Sequence, residues 1–398
     1  MIVNYPRMRR RAAWPDDLNT ALEFASPEVF SISTPQNWDG RMEYTNGSEW
    51  KTWDGGKINS GTTENKNVIF IRGVGNTKVT GGNGKWTITG QEISCNGNIE
   101  RLLNWEDVES GKHPEMSDSC YNAMFAGCTS LTAAPSLPAT TLKTNCYNFM
   151  FSGCTSLTAA PSLPATTLAN YCYRSMFRNC TSLTAAPSLP ATTLASNCYN
   201  SMFYGCKSLT AAPSLPATTL ANYCYNSMFY GCTSLTAAPS LPVTTLASNC
   251  YNSMFYGCKS LTAAPSLPAT TLASDCYFSM FQNCTSLTAA PSLPATTLAN
   301  YCYRSMFYGC KSLTAAPSLP ATTLASNCYF SMFYGCTKIK LSTTSSGTYT
   351  KSYRIPKRGT GTTASYALND MFDNTGGTFK GTPEINTTYY LDKSNTIV

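Results

Sequence analysis

The chain has 398 residues, 42% of them hydrophobic and only 12% charged, with a formal net charge of +7. This is enough to bury a large core. No apolar run reaches the ~18 residues of a membrane span, which excludes helix insertion, and no cluster of Lys or Arg is interleaved with aromatics, which argues against a nucleic-acid partner.

From the N-terminus, Arg7, Arg9, Arg10 and Arg11 lie in a basic arm, residues 1–27, that reads either as a docking element for an acidic partner or as a solvated tail. No apolar segment follows these arginines, so the stretch does not read as a secretory signal. Residues 28–119 have the signature of a small antiparallel β domain and a junction. Short runs such as Val68–Ile71 and Lys85–Ile88 are separated by turn pairs at Asn46-Gly47, Gly55-Gly56 and Gly81-Gly82. All six tryptophans (Trp14, Trp38, Trp50, Trp53, Trp86, Trp105) precede residue 120. This domain is expected to seal whatever follows it.

From Cys120 the chain repeats itself every 26 residues, aligning Cys120, Cys146, Cys172, Cys198, Cys224, Cys250, Cys276, Cys302 and Cys328, each with a second Cys eight residues on. The unit reads C-Y-x-x-M-F-x-G-C-x-S-L-T-A-A-P-S-L-P-A-T-T-L-A-x-x. Such a unit cannot bury its apolar side chains alone, so copies must stack in register. Within it, Leu142, Cys146 and Met150 recur at i, i+4, i+8 and predict a short helix, with Thr140 or Thr141 as its cap and Gly153 as its left-handed stop. The stretch from Leu157 to Pro161 predicts a short strand. The M-F-x-G-C-x-S-L stretch (Met202 to Leu209 and its copies) and the A-P-S-L-P-A-T-T-L stretch (Ala212 to Leu220 and its copies) resemble the BspA-like leucine-rich repeats of bacterial surface proteins and of phages that infect gut bacteria. The resemblance implies an α/β solenoid, a right-handed stack of coils over 120–341, used for adhesion or recognition.

Residues 342–398 read as an insertion followed by a degenerate capping repeat. Met371-Phe372 echoes the M-F pair, Phe379 stands for the strand leucine, and Pro383, Ile385 and Tyr390 track the Pro, Leu and Leu that follow.

Two cysteine columns fit buried thiols acting as small apolar groups. Disulfides between adjacent coils are the competing reading, since like cysteines would lie within bridging range. Zinc is disfavoured by the eight-residue gap and the lack of histidine. No cofactor is expected. The single histidine, His113, sits at the junction, and the repeats hold one acid, Asp275, so neither nucleophilic nor paired-carboxylate catalysis has its residues there.

Positions that vary between otherwise uniform copies are expected to face solvent, because core positions must fill the same hole in each coil. The third position includes Arg174, Phe278, Arg304 and Phe330. The seventh includes Arg178, Tyr204, Tyr230, Tyr256, Tyr308 and Tyr334. The tenth carries Lys207, Lys259 and Lys311. These residues form either a binding face or a brace between coils. Seven basic residues against one acid leave the repeats +6 of the formal +7. The expected role is non-enzymatic: a phage virion component (tail fibre, receptor-binding or head-decoration protein) whose partners are other virion proteins, a host cell-surface protein or a glycan, with homo-oligomerisation left open. A bacterial cell-surface adhesin and an intracellular scaffold are the alternatives.

Overall fold

The computed structural model describes residues 13–34, 40–80, 84–356 and 364–398. Arg7, Arg9, Arg10 and Arg11, Trp38 and the Gly81-Gly82 turn lie outside them. The strands before the repeats are β1 (Leu22–Ser26), β2 (Ser31–Ser33), β3 (Met42–Thr45), β4 (Lys51–Trp53), β5 (Ile58–Asn59), β6 (Gly61–Thr62), β7 (Asn67–Gly73), β8 (Thr87–Thr89) and β9 (Ile93–Asn96). A short helix, α1 (Arg101–Glu109), follows and is broken at Asn104. Later come β10 (Leu131–Ala133), β11 (Ala315–Ala316), β12 (Lys340–Ser342), β13 (Tyr349–Arg354), β14 (Gly376–Gly377), β15 (Thr388–Asp392) and β16 (Thr396–Ile397).

The first sheet runs β10-β9-β1-β7-β3-β4, with β6 also on β7, and a smaller sheet runs β5-β2-β8. All pairs are antiparallel except β10 with β9, where the first repeat joins the sheet in parallel. β1 sits between β7 and β9, so residues 22–26, which the sequence reading placed in the arm, form an interior strand of the β domain. Their alternation is masked because β1 is buried over most of its length.

The repeats are not helical, which corrects the i, i+4 reading. In the second coil the N–H groups of Cys146, Asn148, Met150, Ser152 and Cys154 donate to the carbonyl three residues back, at 3.0 to 3.2 Å. Those of Asn145, Tyr147, Phe149, Phe151 and Gly153 donate instead to Asn170, Cys172, Arg174, Met176 and Arg178 of the next coil, at 2.7 to 3.0 Å. A helix would consume all ten donors within the segment. Here half of them tie one coil to the next, and a left-handed residue every fourth position, at Asn145, Phe149 and Gly153, makes the consecutive turns that allow it. The four-residue period of the turns places Cys146, Tyr147, Met150, Phe151 and Cys154 inside. Thr140 and Thr141 cap nothing; Thr141 bridges Thr167 in parallel as part of a second ladder. The expected strand is reduced in most coils to one parallel bridge, as at Ala159, Ala185 and Ala211.

Identical residues therefore stack on one another. Core tyrosines follow one another at 5.4 to 5.9 Å, and core phenylalanines at 5.4 to 5.8 Å, giving one apolar core that runs from Leu22 to Leu391. The β domain closes its start: Val79 N–H donates to Cys120 O and Trp86 N–H to Met124 O, each at 3.0 Å.

A tenth coil closes the other end. Phe333 stacks on Phe372 at 5.4 Å, and the N–H groups of Asn327, Tyr329, Ser331, Phe333 and Gly335 donate to residues 365, 367, 369, 371 and 373. The Met371-Phe372 echo is thus real. The rest of the cap departs from the repeat: Phe379 is half-buried against Phe372 and Tyr389, Ile385 is exposed, and Tyr389 and Leu391 fill the core in place of Tyr390. The reason is β15, whose antiparallel pairing with β12 and β13 fixes a two-residue alternation. β16 takes the next rung after β11. Between coils eight and nine the fully buried Asn395 donates to Thr314 O and Lys338 O and accepts from Lys340 N–H.

Candidate recognition surface

Every repeat cysteine is buried. In the second column the thiol donates to the phenylalanine carbonyl of the preceding coil, as Cys206 Sγ to Phe177 O at 3.0 Å. Burial pushes Cys180 and Cys232 up to about 12, which leaves them protonated and inert at neutral pH. These columns are structural filling.

The varied seventh column forms a ladder on the outside. Arg178 lies over the Tyr204 ring at 4.7 Å, Tyr204 stacks on Tyr230 at 4.5 Å, and Tyr230 on Tyr256 at 4.3 Å. Gln282 interrupts the run, with its neighbour Asn283 donating to Tyr256 Oη, and Tyr308 on Tyr334 forms a second pair at 4.5 Å. Partial desolvation and the two flanking phenols push Tyr230 up to about 12. The rings spend their faces on one another, so the column is a brace whose edges and hydroxyls remain for contact.

In the third column Arg304 is held among Phe330, Phe278 and Tyr301, at 4.6, 5.6 and 5.6 Å. Arg174 lies over Phe149 and Tyr171. Burial raises the Asp275 carboxyl and the nearby Arg304 opposes that. Lys207, Lys259 and Lys311 are exposed and take part in none of the ring contacts. Ring contacts thus link candidates within the seventh column and around the third, while the three lysines stand outside those contacts. Sequence reasoning missed the paired threonines of A-T-T-L, such as Thr218 and Thr219, which are exposed in every coil; their invariance hid them, since only variation was used to find the surface.

His113 Nδ1 lies 2.8 Å from an oxygen of the buried Glu100, a pair that ties the junction to the start of α1. A cleft of about 610 Å³ in the β domain, between Trp14, Asn46, Ser48, Thr62 and Glu64, contributes one carboxylate where glycoside hydrolysis uses two.

The family description "BspA type Leucine rich repeat region" matches residues 104–236, 169–288 and 198–340. The chain belongs to the BspA-type leucine-rich-repeat family. Membership carries a non-enzymatic recognition or structural role for these BspA-type repeats. No curated protein and no solved structure matches the chain significantly. Among the described residues no helix is long and apolar enough to cross a membrane.

Proposed function

We propose that the protein is a recognition component of a phage particle, a tail fibre, receptor-binding or head-decoration protein, whose BspA-type repeats wind as a right-handed solenoid. One observation carries this reading: differences between coils are concentrated in outer columns, where Asn gives way to Arg or Phe, small residues to Arg or Tyr, and Thr to Lys, while the Cys, Tyr, Met and Phe columns of the core hold constant and the Leu column changes only to Ile339. Bracing between coils accounts for the stacked tyrosine faces, but not for exposed Lys207, Lys259 and Lys311, which make no ring contact or ion pair among the described residues. Sealed ends fit a projecting rod that must not polymerise. The Arg7 to Arg11 arm, ahead of the β domain, supplies the charge for docking on an acidic particle protein, and the repeats are left to meet a host cell-surface protein or glycan. Mass spectrometry of purified particles tests it. The expected result is the protein at fixed stoichiometry in the particle; its absence there, with recovery from the bacterial envelope, would replace this reading by that of an adhesin.

A further inference from the structure

The lysines of the tenth position occur in coils four, six and eight, as Lys207, Lys259 and Lys311, with Thr233 and Thr285 in the same place between them. All three are exposed. None of them is in an ion pair among the described residues, and the repeats' one acid, Asp275, faces Arg304. Three unneutralised cations on one line are a surface awaiting an anion.

The spacing states which kind. Like rings in adjacent coils are 4.3 to 5.9 Å apart, so lysines two coils apart repeat at about 10 Å, twice the strand spacing. That is the length of one disaccharide in an extended polysaccharide. Each of the three coils also carries a seventh-position tyrosine, Tyr204, Tyr256 and Tyr308, three residues before the lysine with a Gly-Cys pair between them. Its edge and hydroxyl suit sugar hydroxyl groups. Tyr204 has both faces taken, by Arg178 and Tyr230, and Tyr256 and Tyr308 each spend one face on a neighbouring tyrosine, which disfavours the base stacking that single-stranded nucleic acids need.

We propose that this line binds a linear anionic polysaccharide with one carboxylate per disaccharide, lying along the repeat axis. The inference rests on the recognition role proposed above and names its ligand class. A polymer charged on every sugar would set alternate carboxylates against Thr233 and Thr285 and lose the match. Contacts by exposed lysines are individually weak and screened by salt, so binding requires a chain long enough to reach all three.

The test is binding of the full chain to hyaluronan fragments of increasing length, with polygalacturonate, poly-glutamate and single-stranded DNA as comparison probes. Lys207→Thr, Lys259→Thr and Lys311→Thr are combined in one variant; threonine already fills this position in the intervening coils, so the fold is retained. Affinity should rise until the fragment spans three lysines and then level off. The triple variant should lose about ten-fold or more, and its salt dependence should flatten. Equal binding by the variant, absence of hyaluronan binding, or binding of any comparison probe as tight as hyaluronan overturns the proposal. Presence in the particle is measured separately, so this can fail while the recognition role stands.

Discussion

Raising the pH above 9 should unfold the repeats over a narrow interval. Burial holds Cys172, Cys180, Cys224, Cys232, Cys310 and Cys328 at about 12, against 9.0 for a free thiol, and it raises the other repeat cysteines as well, Cys198 and Cys206 among them. A thiol raised on folding stabilises the protein fully below pH 9. Above that the unfolded chain releases protons that the folded chain keeps, and the contribution falls until the folded pKa is reached. Each such thiol removes ~1.4 kcal/mol per pH unit, so those six alone remove about 8, comparable with the whole stability of an ordinary domain. The remaining thiols and the core tyrosines, raised by the same burial, steepen the fall. Urea midpoints by far-UV circular dichroism should be level from pH 7 to 8.5 and collapse near pH 10, with thiolate absorbance at 240 nm appearing together with unfolding. Thiolate absorbance rising near pH 9 in a still folded protein would refute this account of the cysteine columns.

Cys198→Ser should destabilise by about 1–3 kcal/mol, because a hydroxyl enters a column with no comparable sulfur bond among the described residues. Cys206→Ser should be milder, since the hydroxyl inherits the bond to Phe177 O; equal urea midpoints for the two would contradict the difference between columns. Gly205 and Gly231 both have left-handed backbone, but a Cβ at Gly205 runs into Asn179 Oδ1, whereas at Gly231 it meets only Gly205 Cα at 3.9 Å. Gly205→Ala should therefore lower stability more than Gly231→Ala, by about 1 kcal/mol or more, and adding Asn179→Gly should abolish the difference. Deleting 224–249 removes one coil, keeps both seals and should give soluble, folded protein about 5 Å shorter by small-angle scattering. Deleting from Ser342 strips the partners from five N–H donors and uncovers Phe333 and Ile339, so it should aggregate; a monomeric cap deletion would contradict the stacked arrangement.

The sequence by itself determined the 26-residue unit, its stacking in register and the identity of the core columns, because each coil must present the same shape to its neighbours. It also determined that something closes each end. It did not determine the conformation of the turn segment: Leu142, Cys146 and Met150 have the i, i+4 spacing of a helix, and a ribbon of turns with a four-residue period has the same spacing. The choice depends on where half of the N–H groups go. Their acceptors lie 25 residues away, as from Tyr147 to Cys172, and exist only once the next coil has stacked. Still larger separations hid β1, whose partners are residues 67–71 and 94–96, and Asn395, a polar residue whose three acceptors and donors come from coils eight and nine. On the surface, variation marked the outer columns, but only the stacked structure decided that the tyrosine faces are spent on one another while the lysines remain unpaired, since ring stacking and charge neutralisation are properties of neighbouring coils and not of one repeat.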